Sequence, residues 1–195
     1  MSAILAARVL SIVGHPGLLM PVAVAIGTSA AELPSTHVRA AVAAAVGISA
    51  IIGAFSLWQV RRGRWAHVDA SLPHERRQLN PLVALLLFAA ALALATWGTS
   101  PHGAVGAALA GALVACAQGL RRRMKLSLHC AFAAYAAGIV GSGVAGLALA
   151  LLALGVAWSR LQLRRHTRRE VVAGLGLGAL AGLVFQLLAP WVGAA

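Results

Sequence analysis

Acidic residues are scarce: four in a chain of 195, beside sixteen Lys and Arg. Charged residues make up 10% and hydrophobic ones 61%, against roughly a quarter and about half in an ordinary soluble domain. That shortage of charge excludes a soluble globular domain and identifies an integral membrane protein. Cysteine is nearly absent too. Cys116 and Cys130 lie inside or at the edge of apolar runs, far from any metal-ligand spacing, so they read as small hydrophobes and leave the redox compartment open. Nor does the first stretch read as a cleavable secretory signal. The N-terminal MSAILAARVLSIVGHPGLLMPVAVAIG is apolar, but His15-Pro16-Gly17 interrupts it and no small-residue cleavage site follows, so it reads as a first span. A net charge of +12 would suggest nucleic acid in a soluble protein. Here the basic residues sit in short loops between spans, which argues for a membrane surface and against a nucleic-acid partner.

What the sequence does contain is apolar runs, at about residues 9–31, 37–60, 80–99, 102–120, 127–141, 143–159 and 170–190. About 20 apolar residues cross a bilayer core as a helix. The runs therefore predict one all-α polytopic transmembrane bundle over residues 1–195, with six or seven spans. Runs 127–141 and 143–159 are either one over-long helix of roughly 50 Å or two short helices joined at GIVGSGVAG, Gly138 to Gly146. Glycine-rich punctuation favours the turn.

The loops RRGRWAHVDASLPHERRQLN, RRRMK and SRLQLRRHTRRE all fall on one side of that bundle, together with Arg8. Fifteen of the sixteen Lys and Arg lie there, with Arg39 alone opposite. The positive-inside rule makes that face, and the N-terminus, cytoplasmic in a bacterial-type inner or plasma membrane. Setting aside Arg76, Lys125 and Arg160 as site residues leaves twelve against one, so the orientation stands. Arg121, Arg122, Arg123, Arg168 and Arg169 mark this face and attract anionic head groups, at about 1 kcal/mol each. Trp58, Trp65, Trp97, Trp158 and Trp191 fall near span ends, as an interfacial belt requires. Gly174, Gly178 and Gly182 form a GxxxGxxxG stripe that serves close packing within the bundle or a homodimer contact.

Two histidines stand beside the basic loops, His129 in KLSLHC and His166 in RRHTRRE. A helix over 167–190 puts His166 at its N-terminus and Glu170 one turn on. A carboxylate there fixes the imidazole tautomer, leaves the other nitrogen facing the pocket, and stabilises charge formed on attack. Glu170 also suits the helix dipole as a first-turn acid. Free backbone N–H groups at helix starts and guanidinium forks are what a phosphate needs. His67, Asp69, His74 and Glu75 match no metal site and read as loop residues near that pocket. His15 and His102 adjoin prolines and read as structural.

Ser159-Arg160, five residues, His166, three residues and Glu170 resemble the third motif of the type 2 phosphatidic acid phosphatase superfamily, S-R-x-x-x-x-x-H-x-x-x-D, which also includes vanadium haloperoxidases. Leu126-Ser127-Leu128-His129 is similar to the second motif, P-S-G-H, in its serine and histidine. Asp69, six residues, Arg76 and Arg77 match the first motif, K-x-x-x-x-x-x-R-P, at the arginine only. The resemblance covers about residues 60–190, in the family's motif order.

The resemblance implies a phosphatase working without metal or cofactor. His166 would attack phosphorus, Glu170 would orient it in the place of aspartate, and His129 would protonate the leaving oxygen. Arg160, Arg76, Ser127 and Ser159 would hold the phosphoryl group, with Arg77 and Asp69 at the degenerate first motif. Lys125, four residues before His129, is expected to supply the cation missing at Asp69. The implied partners are a lipid phosphate of polyprenyl or glycerolipid type and the surrounding membrane lipids. The rivals are an inactive relative that binds lipid phosphate or acts as a scaffold, and a transporter, which the near absence of intramembrane charge disfavours.

Overall fold

Prolines, glycines and basic loops cut the apolar runs into eight α-helices among the residues described, 2–70 and 72–192 of a computed structural model. They are α1 (Ala3–Val13), α2 (Pro16–Ala30), α3 (Ser35–Arg61), α4 (Pro73–Thr96), α5 (Pro101–Leu120), α6 (Leu128–Val140), α7 (Val144–Gln162) and α8 (Arg168–Val192). Pro16, Pro73 and Pro101 open their helices, where a missing N–H costs nothing.

Helices α3, α4, α5, α7 and α8 are long and apolar enough to cross a membrane, and α1 with α2 makes a sixth span if the bent pair counts as one. The expected first span, 9–31, is thus two helices meeting at 55°. Pro16 drives His15 into extended backbone, φ −67° and ψ 128°, because the pyrrolidine ring clashes with a helical predecessor.

By length and apolarity up to six spans are present among the described residues, the lower of the two expected counts, and 127–141 is the run that falls short. The run 127–141 folds as the 13-residue α6, about 20 Å long and too short to cross alone. Its start is drawn below the first turn of α8, where Ser127 N donates to Glu170 O at 3.3 Å. Its end comes at Gly141, φ 77°, followed by Gly143 at φ 106°, conformations open to glycine without strain. The expected turn is therefore present, and α7 returns from it. With Ala131, Ala133, Tyr135 and Ala136 fully buried, α6 is the core of the bundle and meets protein rather than lipid.

Helices α6 and α8 run side by side because three glycines let their backbones touch. A Cβ at Gly174 would stand 2.6 Å from Ser127 O, one at Gly182 would stand 2.8 Å from Gly138 Cα, and one at Gly178 would collide with Ala131 O. The GxxxGxxxG stripe is used inside the bundle, leaving any homodimer to another face.

Trp65 leaves the expected belt. It is 4% exposed and its Nε1 donates to Gln78 Oε1 at 3.1 Å. Glu75 pulls the surrounding loop over α4, accepting Ala66 N at 2.6 Å and Leu72 N at 2.9 Å. The loops after α3, α5 and α7 meet at one end: Lys125 Nζ donates to Arg165 O at 3.1 Å and Arg165 Nη1 pairs with Asp69 Oδ2 at 3.4 Å.

Candidate active site

His166 is held between two helix ends. Helix α7 stops in a Schellman arrangement, in which Arg165 N donates to Arg160 O at 3.0 Å and Arg164 N to Leu161 O at 2.9 Å, with Arg164 left-handed at φ 52°. Two residues later α8 starts on a capping box. Thr167 N donates to Glu170 Oε2 at 3.0 Å and Glu170 N to Thr167 Oγ1 at 3.4 Å. The intervening backbone leaves His166 facing inward, its side chain 6% exposed.

Its Nδ1 lies 3.1 Å from Lys125 O and 3.2 Å from Glu170 Oε2. Both neighbours are acceptors, so Nδ1 carries the proton and Nε2 keeps its lone pair. Glu170 thus serves as helix cap and histidine partner together, while Oε1 takes Lys125 N at 3.2 Å. Burial pushes the His166 pKa down to about 4, helped by Arg160 and Lys125 and opposed by Glu170. The ring is neutral at physiological pH. Lys125 is also shifted downward, by burial first and then by Arg76.

Around His166 opens a cavity of about 1150 Å³. Its polar end is lined by Asp69, Arg76, Arg77, Lys125, His129, Arg160 and Arg165, and its depth by apolar side chains such as Met20, Ile52, Leu87, Val114, Phe132 and Phe185. Arg160 is 6% exposed. Its Nη1 donates to Ser11 Oγ at 2.8 Å, while Nε is buried with no hydrogen-bond partner among the described residues. A buried guanidinium with an open donor is costly by itself and is suited to an anion.

The fold therefore collects most of the residues singled out in the sequence. Glu170 stands behind His166 rather than on the cavity wall. Ser127 and Ser159 are not brought to the wall: both are fully buried, with Ser127 Oγ on Cys130 Sγ at 3.2 Å and Ser159 Oγ on Val156 O at 2.7 Å. Their hydroxyls serve the helix interior.

Three wall or support residues escaped the sequence reading. Arg165 carries topology charge but lines the cavity and pairs with Asp69. Ser11 holds Arg160, and His15, expected to be structural only, lines the cavity with its ring centroid 5.1 Å from that of His129. The His-Pro-Gly interruption marked a break, yet nothing in it named a partner so far along the chain. No family model, curated protein or solved structure matches this chain.

Proposed function

We propose that this chain is a membrane-embedded lipid phosphate phosphatase, removing a phosphomonoester or diphosphate from a polyprenyl or glycerolipid at the cytoplasmic interface. The observation carrying this reading is the His166 tautomer: an unprotonated Nε2 beside the cationic end of a cavity whose depth is lined largely by apolar side chains. The lipid phosphate lies among Arg76, Lys125 and Arg160, and its tail enters the apolar depth.

In this reaction Nε2 of His166 bonds to phosphorus as the bond to the leaving oxygen breaks. His129, whose pKa burial and Arg160 hold well below 6.5, passes a proton to that oxygen once the negative charge of the bound phosphate favours its protonated form. Water then attacks the phosphohistidine, His129 takes the water's proton, and phosphate leaves with His166 restored. Glu170 offsets the positive charge on the ring during the covalent stage, and the cations stabilise the phosphoryl oxygens in both transition states.

Phosphate release from phosphatidate, polyprenyl phosphate and polyprenyl diphosphate by purified protein tests this. Turnover abolished by both His166→Ala and His129→Ala in folded protein supports the enzyme. Turnover that survives either substitution refutes its assigned role. Labelling of cysteines placed in the loop between α3 and α4, residues 62–72, only from outside intact cells would refute the cytoplasmic face.

A second reading, a lipid-phosphate binder without turnover, draws support from Asp69, which puts an acid where the resembled family has lysine and engages Arg165. Lipid phosphate bound tightly but never hydrolysed favours it.

A further inference from the structure

Resting on the phosphate-site reading above, we infer that the α1–α2 break is a wall of the same site: His15 is a further phosphate-binding residue beside His129, and Ser11 is a positioning residue for Arg160. The family resemblance begins near residue 60, so nothing in it assigns a role to this segment.

The break is built to reach α7. Gly14 has no Cβ, and one placed there would collide with the Val156 side chain. This close approach sets the break one turn before Arg160, and Ser11 Oγ then receives Arg160 Nη1 at 2.8 Å. A hydroxyl on one fork of a buried guanidinium restricts its rotation and leaves its other donors for an anion.

His15 meets His129 edge to face, with ring planes at 83° and centroids 5.1 Å apart. Gly17 N donates to His15 Nδ1 at 3.1 Å, so Nδ1 holds the lone pair and Nε2 carries the proton. His166 has the opposite tautomer, fixed by Lys125 O and Glu170. One cavity therefore contains a histidine that offers a lone pair and another that offers an N–H. The first suits attack on phosphorus, and the second suits a phosphoryl oxygen. Capping α2 requires only an acceptor, for which Asn or Ser is the usual choice, so the Nε2–H of His15 exceeds what the cap needs.

The test uses the full chain in detergent with isotope-labelled histidine, titrated with inorganic phosphate and followed by NMR. Signals of His15, His129 and His166 are expected to move together along one binding curve. Asn retains the cap acceptor, so His15→Asn should leave Tm unchanged while weakening phosphate binding by at least about tenfold, the effect of losing a hydrogen bond to a charged group. Ser11→Ala should weaken it by a similar factor and Ser11→Thr should restore it. Shifts at His129 and His166 without one at His15, or unchanged affinity in His15→Asn, overturn the role of His15 while sparing the phosphate site. Unchanged affinity in Ser11→Ala overturns the role of Ser11. No shift at any of the three overturns the phosphate site and this inference with it.

Discussion

Glu170 Oε2 lies 3.2 Å from His166 Nδ1 and also receives the Thr167 amide at 3.0 Å. One oxygen thereby ties the orientation of the candidate nucleophile to the first turn of α8. The other oxygen accepts Lys125 N at 3.2 Å, so the loop before α6 is fixed by the same carboxylate.

Replacing Glu170 by Gln removes the negative charge and leaves one acceptor oxygen where the carboxylate offers two to Lys125 N, Thr167 N and His166 Nδ1. We expect kcat for lipid phosphate hydrolysis to fall about 10²-fold, the scale of an ångström-sized misplacement, with KM changing much less. Glu170→Asp should fall between, because the shorter chain cannot reach Lys125 N and His166 together. Equal kcat in wild type and Gln variant would remove Glu170 from the mechanism.

On the proposed mechanism, the low pKa of His166 sets the acid limb of activity. Attack needs an unprotonated Nε2, and the folded ring protonates near 4 rather than 6.5. Activity should not be lost as pH falls through 6.5, where His129, itself shifted well downward, only gains the proton it donates, and should disappear only toward 4. Glu170 raises this pKa, so residual activity of Glu170→Gln should extend to lower pH. An acid limb of kcat/KM at 6.5 in the wild type contradicts the assignment.

The same shift makes stability depend on pH. Between about 6.5 and about 4 the unfolded chain binds a proton at His166 that the folded chain refuses. Stability should therefore drop as pH falls through that window, and the contribution should be constant on either side of it. His166→Gln should flatten this part of the Tm profile; an unchanged slope assigns the dependence to other groups.

Two neighbouring glycines on α8 should respond with opposite signs. A Cβ at Gly178 collides with the Ala131 backbone, whereas one at Gly176 meets nothing within 4 Å. Gly178→Ala should destabilise by about 1–3 kcal/mol, and Gly176→Ala should stabilise by about 0.5–1 kcal/mol as a better helix former. Thermal unfolding in detergent measures both, and equal effects would contradict the α6–α8 packing.

Arg164 spends a non-glycine residue on a left-handed cap, φ 52°. Arg164→Gly should raise stability by up to about 1 kcal/mol, since L-residues pay about that much in this conformation, and should leave turnover unchanged because the Arg164 side chain is exposed. A lower Tm would show that the arginine contributes more than its backbone strain.

Much of the architecture was legible in the sequence. Local rules suffice for it: runs of about 20 apolar residues form helices, prolines open them, and Gly141 with Gly143 turns the chain. Thr167 and Glu170 have capping-box spacing, and that spacing alone places the carboxylate one turn from His166. The basic loops share one end because they follow every second helix, after α3, α5 and α7, and successive helices run in opposite directions.

The rest depended on which helices become neighbours. Residues 127–141 fold almost end to end as α6, and what the sequence did not show is that Glu170, on a different helix, holds Ser127 and Lys125 ahead of its start. Ser127 and Ser159 have the right spacing for a phosphate motif, but their hydroxyls donate inside the bundle, to Cys130 Sγ and Val156 O. His15 and Ser11 joined the site through contacts with His129 and Arg160. Local sequence determined helices, turns and caps because those energies act within a few residues; the tertiary structure decided the walls of the cavity, because they depend on how glycine-stripped surfaces let distant helices approach.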